Sequence, residues 1–327
     1  MNAVFTISTP NYIGYSISLF NSIKKHNKET PFYLVLFRPV EELDNLLIPK
    51  EINILYLDEL GLEKSKNNFL NRYPVNKVCF AFKPIVAQKL LEKYSLEKVI
   101  YFDSDILVYN SLESIWNDLN THNIVLTPHL VDPLENDDKE RLGLRMLSRA
   151  GVFNAGFFAV KSSEEGYSFL NWWFKNLSKY GLLGDQLWLN FAPTHFKVNI
   201  SYNQGYNVAY YNLPNRKIRY NIEENKYIVN DKDELVFFHF VQHNPFSFPE
   251  EISLARLKQP KLNFNNFPEL KPIFNDYKNS LIEAQNSKFK HYKFISEKQS
   301  WFKKKFIHYK NQSIRALYKI IFEIVSI

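Results

Sequence analysis

The sequence is poor in cysteine and glycine, and it contains no long apolar run. The single cysteine, Cys79, excludes a disulfide framework within the chain and a cluster of thiolate metal ligands. None of the nine glycines stands in a GxGxxG or P-loop pattern, which argues against a dinucleotide oxidoreductase and a P-loop nucleotidase. No apolar run reaches the roughly 18 residues of a membrane span, and no basic segment followed by an apolar one marks a signal peptide. We therefore expect a cytoplasmic protein.

Net positive charge is also absent from most of the chain, although the net charge of its 327 residues is +7. Residues 285–327 hold ten Lys or Arg and two acids, which gives this tail a net charge of +8 and leaves −1 for the rest. Proteins that bind nucleic acid spread their basic side chains over a folded face. A neutral body with a basic tail therefore predicts that residues 1–284 have no nucleic-acid partner.

Short apolar segments alternate with longer segments of helical periodicity. The predicted strands are residues 4–7, 32–37, 52–57, 98–102, 124–127, 157–160, 196–199 and 235–240. The predicted helices are residues 16–25, 78–94, 164–179 and 185–191. Pro84 is expected near the start of the second helix or at a kink in it. This order predicts an α/β fold with a doubly wound sheet that is mixed but mainly parallel. A domain boundary is expected near residue 260, between a body (1–260) and a helical, basic extension (261–327).

Two Asp-x-Asp segments are the strongest signs of chemistry, and their surroundings differ. Asp231-Lys232-Asp233 lies in a polar run, which predicts a solvated turn. Asp103-Ser104-Asp105 follows a predicted strand, at the place where open α/β sheets bind ligands. A cation stabilises two carboxylates at such a site, and hard oxygen ligands suit Mg²⁺ or Mn²⁺. A strand-end turn capped by Asp is the alternative.

Five segments resemble motifs of nucleotide-sugar glycosyltransferases with the A-type fold, and most closely those of glycosyltransferase family 8. Residues 98–108, KVIYFDSDILV, resemble the metal-binding segment of that family. The other four are residues 4–12 (VFTISTPNY, the first strand and nucleotide-binding turn), 153–158 (FNAGFF, the donor-sugar segment), 184–190 (GDQLWLN, the Asp-Gln helix) and 237–240 (FFHF, the late strand with a histidine). They follow one another in the family's order. The resemblance therefore implies an A-type glycosyltransferase fold for most of the chain.

The resemblance also implies roles for single residues. The expected ligands of a Mn²⁺ or Mg²⁺ ion that holds the donor diphosphate are Asp103, Asp105 and His239. The residues expected to contact the donor are Thr6, Asn11, Tyr12, Lys83, Asp103, Ser104, Asn154 and Ala155, with Tyr12 stacking on the base. The residues expected beside the donor sugar at the reaction centre are Asp185 and Gln186.

Two departures from the family pattern leave parts of the donor site open. Ser8 and Thr9 stand where the family has acidic residues in the nucleotide-binding turn. After the late histidine the family has a Gly and then a Lys that bind the diphosphate, whereas residues 240–246 contain neither. The alternatives for the missing charge are Lys83, His243 (otherwise expected at the surface) and a residue of the tail.

The expected activity is transfer of a hexose from a UDP-sugar to a glycan or lipid-linked glycan acceptor, in the synthesis of a cell-surface polysaccharide or lipopolysaccharide. The resemblance implies retention of the anomeric configuration, for which two routes are open. Either Asp185 or Gln186 acts as a transient nucleophile, or the acceptor attacks from the front face with the leaving phosphate as base. The second is favoured, because a double displacement needs a carboxylate close beneath the anomeric carbon.

A sugar nucleotidyltransferase and a catalytically inactive membrane-associated scaffold are the alternative functions. A nucleotidyltransferase needs a Gly-rich, basic loop after the first strand, and residues 8–16 contain one glycine and no basic residue. A scaffold has no need of the Asp-x-Asp pair, the Asp-Gln pair and the late histidine, all of which are present. Both alternatives are therefore less favoured than a transferase.

The tail is predicted to form a basic amphipathic helix. From Trp301 onward, aromatic and aliphatic residues recur at helical spacing, and Lys or Arg fill much of the remainder. Such a helix suits an anionic membrane surface, so we expect peripheral attachment to the inner face of the membrane. A helix packed on the body and an RNA-binding arm are the alternatives.

A second basic segment lies in the middle of the chain. Residues 131–151 carry Arg141, Arg145 and Arg149. We expect a lid on the acceptor side of the site, and a solvated basic helix is the alternative.

Overall fold

A computed structural model of the protein describes residues 1–37, 48–132, 150–180, 184–246, 264–265 and 267–292. Helices and strands are numbered in chain order over these residues. The strands are β1 (Asn2–Ser8), β2 (Phe32–Leu36), β3 (Ile52–Tyr56), β4 (Lys98–Phe102), β5 (Ile106–Val108), β6 (Ile124–Pro128), β7 (Phe153–Lys161), β8 (Val198–Ile200), β9 (Ile218–Asn221), β10 (Lys226–Val229), β11 (Asp233–Glu234) and β12 (Phe237–His239). The α-helices are α1 (Ile13–His26), α2 (Glu63–Leu70), α3 (Val75–Lys93), α4 (Glu113–Thr121), α5 (Glu164–Tyr180), α6 (Asp185–Leu189), α7 (Ala192–His195), α8 (Lys271–Glu283) and α9 (Asn286–Phe289).

Seven strands form the central sheet, in the order β3-β2-β1-β4-β7-β6-β8. Strands β3, β2, β1 and β4 are parallel to one another, β8 is parallel to β6, and β7 is antiparallel to both of its neighbours. All five residues of β2 and of β4 are buried, as expected for parallel strands that are covered on both faces. The predicted α/β fold with a mixed, mainly parallel sheet is confirmed.

Helices cover both faces of this sheet. Successive side chains of a strand point to opposite faces, so Phe5 of β1 packs in one apolar layer and Val4 packs in the other. The first layer contains side chains of α3 and α5, and the second contains side chains of α1 and α4. Since helices cover both faces in the described part of the chain, the ends of the strands are the expected place for a ligand.

The predicted strands and helices are present, with their boundaries shifted by a few residues. The largest shift is in β7, which begins at Phe153 and therefore contains the whole FNAGFF segment. Pro84 lies near the middle of α3, so the position expected near the start of the helix was wrong, and the kink stays a prediction. Proline has no N–H to donate there, yet the helix continues because tertiary packing supplies most of its stability.

The C-terminal helices pack on the body of the protein. Phe274 and Tyr277 of α8 share an apolar cluster with Phe238 and Phe240, which lie in and directly after β12. Phe289 of α9 is 1% exposed and packs in the layer that contains α1. The domain boundary expected near residue 260 stays a prediction.

Two predicted segments lie wholly or largely outside the described residues. These are the amphipathic helix beyond Trp301 and the lid at residues 131–151, which includes Arg141, Arg145 and Arg149. Among the residues that the structure describes, no helix is long and apolar enough to cross a membrane.

Candidate active site

Two carboxylates and one imidazole converge at the carboxyl end of β4. Asp103 and Asp105 lie between β4 and β5 with Ser104 between them, and the pairing of β5 with β12 places His239 opposite Ile106. The Nε2 atom of His239 lies 3.1 Å from Oδ1 of Asp105 and 4.0 Å from Oδ2 of Asp103. One ligand atom from each of the three residues lies within 4.8 Å of the others, so the group could hold a metal ion.

The two oxygens of Asp103 face different partners. Its Oδ1 lies 3.1 Å from Nζ of Lys83 and accepts a hydrogen bond from the Tyr101 hydroxyl at 2.5 Å, whereas Oδ2 faces His239. Because two groups hold the first oxygen, the second is fixed in its direction. Burial would raise the pKa of Asp105, but His239 outweighs burial and holds that pKa below its usual range. Asp105 is therefore ionised at neutral pH.

Lys83 of α3 connects Asp103 with the helix that carries the Asp-Gln pair. Its ammonium lies 3.0 Å from Oδ2 of Asp185 and donates a hydrogen bond to the carbonyl of Ala155 at 2.9 Å. Burial would lower the pKa of Lys83, which is 2% exposed, but Asp103 and Asp185 outweigh burial and raise that pKa. Lys83 is thus a charged side chain held by two carboxylates and one carbonyl.

Asn207 holds the other side of the His239 ring. Its Oδ1 lies 3.2 Å from Nδ1 of His239, and its Nδ2 donates to Oγ1 of Thr127 at 3.3 Å. Because the amide nitrogen donates to Thr127, the amide oxygen accepts the proton of Nδ1, and Nε2 is the ring nitrogen that faces the carboxylates. Asn207 is fully buried with a φ of 51°, a left-handed conformation that Asn tolerates. Its role could not be predicted from the sequence, since no local pattern links it to a histidine 32 residues later.

Gly156, within β7, is a second residue whose role was not predicted from the sequence. A Cβ atom at this position would lie 2.3 Å from Cε1 of His239, so any side chain here would displace the imidazole. The Gly156 carbonyl also accepts the backbone N–H of Asp103 at 2.8 Å. A single glycine inside the aromatic segment FNAGFF is the feature that could have revealed it.

Asn154 is held by groups of the protein on both sides of its amide. Its Oδ1 accepts the N–H of Gly156 at 2.9 Å, and its Nδ2 lies 3.2 Å from Nε2 of His129. Burial lowers the pKa of His129 to about 4, although its ring also bonds to the carbonyl of Val152, so this histidine is neutral at neutral pH. The orientation of the Asn154 amide is therefore fixed beside Ala155, whose carbonyl binds Lys83.

Asp185 and Gln186 begin α6, but their side chains have different partners. The carboxylate of Asp185 faces Lys83, and its carbonyl accepts a hydrogen bond from Nε1 of Trp173 at 2.9 Å. Gln186 donates from Nε2 to the carbonyl of Ala150 at 2.5 Å. The structure therefore brings Asp185 into the charged cluster, whereas Gln186 binds the segment that leads into β7.

The residues expected at the nucleotide lie on the neighbouring strand. β1 is parallel to β4, so the turn after β1 lies at the same edge of the sheet as Asp103. Thr6 is buried within β1, and Asn11 accepts a hydrogen bond from the Thr9 hydroxyl at 2.8 Å. Tyr12 is 45% exposed, which leaves much of its ring open to a ligand.

The expectation that His243 lies at the surface was wrong. His243 is 7% exposed, and its ring centre lies 4.7 Å from that of Phe274 and 6.1 Å from that of Tyr277. The cause is α8, whose aromatic side chains cover the segment after β12. The local sequence around residue 243 contains no sign of this distant helix.

The ligand set at the end of β4 fits a hard divalent cation. Two carboxylate oxygens and one imidazole nitrogen suit Mn²⁺, and Mg²⁺ favours the oxygens. Lys83 holds one oxygen of Asp103 while the other faces His239. A cation held by Asp103, Asp105 and His239 would therefore leave the Lys83 pair intact.

Solved structures with a similar fold include three glycosyltransferases. The galactosyltransferase LgtC, in complex with donor and acceptor sugar analogs, is 18% identical over 64% of this chain and 76% of its own, with a TM-score of 0.40. GlyE of Streptococcus pneumoniae TIGR4 is 17% identical over 89% of this chain and 66% of its own, with a TM-score of 0.49. The bifunctional glycosyltransferase WbbM is 15% identical over 88% of this chain and 51% of its own, with a TM-score of 0.50. At such identities a likeness concerns the fold alone, and the likeness to WbbM, at a TM-score of 0.50, agrees with the A-type glycosyltransferase fold expected from the sequence.

The sequence itself matches one protein family, although no curated protein gives a significant match. The model of Glycosyl transferase family 8 matches residues 3–246. That stretch runs from β1 to the segment after β12, and it includes Asp103, Asp105 and His239. Since the match covers well over half of the chain, this protein belongs to glycosyl transferase family 8 and is a glycosyltransferase.

Proposed function

We propose that this enzyme moves a hexose from a UDP-sugar to a glycan or lipid-linked glycan acceptor, with retention of configuration, in the synthesis of a cell-surface polysaccharide or lipopolysaccharide. The observation that carries the proposal is the convergence of Asp103, Asp105 and His239 at the carboxyl end of β4. Lys83 holds Asp185 beside them. Open α/β sheets bind their ligands at the carboxyl ends of their strands. The three metal-binding residues suit a diphosphate, and a polar side chain such as Asp185 suits a sugar.

In this proposal Asp103, Asp105 and His239 would hold Mn²⁺ or Mg²⁺. Such an ion would supply positive charge against the negative charge that develops on the departing UDP. The protein presents the ligands in fixed positions: Lys83 holds one oxygen of Asp103, and Asn207 sets the tautomer of His239. Little reorganisation is then required when the donor binds.

The donor contacts divide into a nucleotide end and a sugar end. The residues proposed for the nucleotide are Thr6, Asn11, Tyr12, Asp103 and Ser104. The residues proposed for the sugar are Asn154, Ala155, Asp185 and Gln186. The exposed ring of Tyr12 supports the first group, and the position of Asp185 near Asp103 supports the second. We assign Lys83 a positioning role, because its ammonium is buried between those two carboxylates.

For the reaction we favour attack by the acceptor from the face that UDP leaves. The acceptor oxygen forms its bond to the anomeric carbon as the bond to the phosphate oxygen breaks, and that phosphate oxygen takes the acceptor's proton. Asp185 is paired with Lys83 at 3.0 Å, and a carboxylate held by a buried ammonium is a poor nucleophile. Asp185 then positions the sugar, so Asp185→Asn should lower kcat/KM by more than about tenfold. Turnover within about twofold of wild type would contradict this role.

Thermal stability in a panel of nucleotide sugars with Mn²⁺ tests the donor. A ligand raises stability by RT ln(1 + [L]/Kd), so the cognate UDP-sugar should stand out from GDP- and ADP-sugars. No response to any uridine nucleotide would contradict the UDP assignment. Pyrophosphate release from UTP and a sugar phosphate would favour a nucleotidyltransferase, and the lack of metal-dependent donor hydrolysis would favour a scaffold.

The proposal includes peripheral attachment to an anionic membrane on the cytoplasmic side, where a lipid-linked acceptor would be reached. The support is the basic tail, since each Lys or Arg near such a surface contributes about 1 kcal/mol. A truncation should begin after Tyr292, because Phe289 is 1% exposed within the core. Removal of residues 293–327 should abolish sedimentation with anionic vesicles and preserve donor hydrolysis. Unchanged sedimentation would contradict the attachment.

A further inference from the structure

The side chain of Tyr277 is buried with an unsatisfied hydroxyl. Tyr277 is 1% exposed, and its hydroxyl has no hydrogen-bond partner among the described residues. It belongs to α8, which lies beyond residues 3–246, the part of the chain that matches the family. A buried hydroxyl without a partner is unfavourable, and Phe would pack in the same place without that penalty. An unpaired hydroxyl in an otherwise apolar position therefore suggests a ligand.

Aromatic contacts connect Tyr277 with neighbours of both ends of the proposed donor site. At one end, its ring is parallel to that of Phe240 at a centroid distance of 3.9 Å, and the N–H of Phe240 donates to the carbonyl of Asp105 at 2.8 Å. At the other end, its ring lies 6.4 Å from Tyr15, whose ring lies 5.1 Å from that of Tyr12. Asp105 belongs to the metal group and Tyr12 is assigned to the base. Between a metal-bound phosphate and the base lie the rest of the diphosphate and the ribose.

The hydroxyl of Tyr277 is a hydrogen-bond donor at neutral pH. Burial, and then the nearby charge of Asp105, raises the pKa of Tyr277 well above its usual range. Phosphate oxygens accept hydrogen bonds strongly because they are charged. The segment 240–246, which follows β12 and begins beside Asp105, contains no basic residue other than His243. A diphosphate bound there therefore receives no Lys or Arg donor from that segment.

We propose that the Tyr277 hydroxyl donates a hydrogen bond to the diphosphate of the nucleotide-sugar donor. A helix outside the family-matched region then completes the donor site of this enzyme. The inference rests on the proposed function, since it takes the donor and the metal group from there. It adds a binding residue, and it gives α8 a part in catalysis through donor binding.

The variant Tyr277→Phe tests this contact, because it removes one oxygen atom and keeps the stacked ring. Isothermal titration with UDP at saturating Mn²⁺ should give a Kd about tenfold higher than wild type, as expected for loss of a hydrogen bond to a charged group. Titration with inorganic pyrophosphate and Mn²⁺ should show a similar loss. The Tm without ligand should be unchanged or higher, because the variant no longer buries an unpaired hydroxyl.

Tyr109→Phe is the matched control at the same interface with α8. The Tyr109 hydroxyl donates to the carbonyl of Ile273 at 3.2 Å, so its partner is within the protein. This variant should lower the Tm and leave the Kd for UDP within about twofold of wild type. Loss of a ligand contact thus raises the Kd and does not lower the Tm, whereas loss of a structural contact lowers the Tm and leaves the Kd unchanged.

Several outcomes would overturn the inference, and they can be told apart from failure of the proposed function. If wild type binds UDP and Tyr277→Phe binds it equally well, the hydroxyl does not contact the donor. A lower Tm with unchanged UDP affinity would mean that its partner lies in the protein. A loss for UDP without a loss for pyrophosphate would place the hydroxyl on the ribose and contradict the diphosphate contact. If wild type itself binds no uridine nucleotide, the proposed function is wrong, and the inference falls with it.

Discussion

The chain contains the pattern Asp-x-Asp twice, and the two copies lie in different environments. Asp103 and Asp105 follow a buried strand of the central sheet, and their side chains are 24% and 28% exposed. Asp231 lies between β10 and β11, with a side chain that is 75% exposed and paired with Arg219. The solvated turn predicted for this second copy is present at Asp231 and Lys232, whereas Asp233 begins β11, is half-buried and accepts a hydrogen bond from the N–H of Gln204 at 2.9 Å. Identical spacing therefore leads to a candidate metal site in one place and to a surface turn in the other.

The difference comes from the groups that the rest of the fold brings to each copy. Beside the first copy lie an imidazole from β12 and a buried ammonium from α3. Beside Asp231 lies one exposed guanidinium, whose attraction is weakened by water and salt. Two carboxylates form a candidate site when distant parts of the chain supply their charged partners and burial limits screening by water.

Replacing one aspartate in each copy should give the largest contrast. Asp105→Asn removes a charged ligand, so Mn²⁺ affinity at saturating UDP should fall by more than about 100-fold, beyond the effect typical of residues that only support a ligand. Asp231→Asn should stay within about twofold of wild type, because its side chain faces solvent. Electron paramagnetic resonance of free Mn²⁺ measures both. Wild-type affinity in Asp105→Asn would show that this group does not bind the metal.

The sequence could predict the first copy because its signs are local. An apolar strand followed by Asp-x-Asp is readable from neighbouring residues, and β4 has the predicted boundaries. His239 could be placed beside the aspartates only through resemblance to a family. Asn207 could not be predicted, because its contact with His239 joins residues that are 32 positions apart and leaves no periodicity.

Lys83 shows the same limit for a residue that was predicted. Its position on a helix near the donor site could be inferred, but its partners could not. The ammonium lies between Asp103 and Asp185 because α3 and α6 bring their side chains to the same strand end. The packing of these two helices decides whether the lysine contacts a substrate or holds two carboxylates in place.

A methyl group at Gly156 should disturb the first copy without touching an aspartate. The Cβ of Gly156→Ala would lie 2.3 Å from the His239 ring, which must move away from the carboxylates. We expect Mn²⁺ affinity to fall by roughly 10- to 100-fold. Gly61→Ala is the control, since its Cβ would meet open space although its φ of 69° causes strain. Wild-type affinity in Gly156→Ala would mean that the position of His239 does not matter for the metal.

Changes at Asn207 should have a smaller effect, because they alter the support of His239 and leave the ring in place. Asn207→Gly keeps the left-handed backbone and removes the acceptor, so Mn²⁺ affinity should fall by about tenfold. Asn207→Asp restores an acceptor and should recover affinity to within about threefold. The ¹⁵N shifts of the His239 ring should show loss of the Nδ1–H tautomer in the glycine variant alone.

A neighbouring buried hydroxyl provides the control for Asn207. Tyr206→Phe removes a hydrogen bond to Ser114 that does not lead to His239. This variant should lower the Tm and leave both the Mn²⁺ affinity and the tautomer unchanged. If it weakened Mn²⁺ binding as much as Asn207→Gly, the effect at Asn207 would reflect general destabilisation.

The smallest expected effect concerns the ion pair between Asp231 and Arg219. Both side chains are more than half exposed, at 75% and 53%. Exposed pairs gain little, because water screens the attraction and two side chains lose freedom. A double-mutant cycle with Asp231→Asn and Arg219→Gln should therefore give a coupling below about 1 kcal/mol in urea unfolding, and 1 M NaCl should remove most of it. Asn is the right replacement, because Asp231 has a φ of 54° that Asn also tolerates. A coupling that is larger than this and insensitive to salt would show that the second copy is also a built charge site, and the contrast between the two copies would then rest on the third ligand alone.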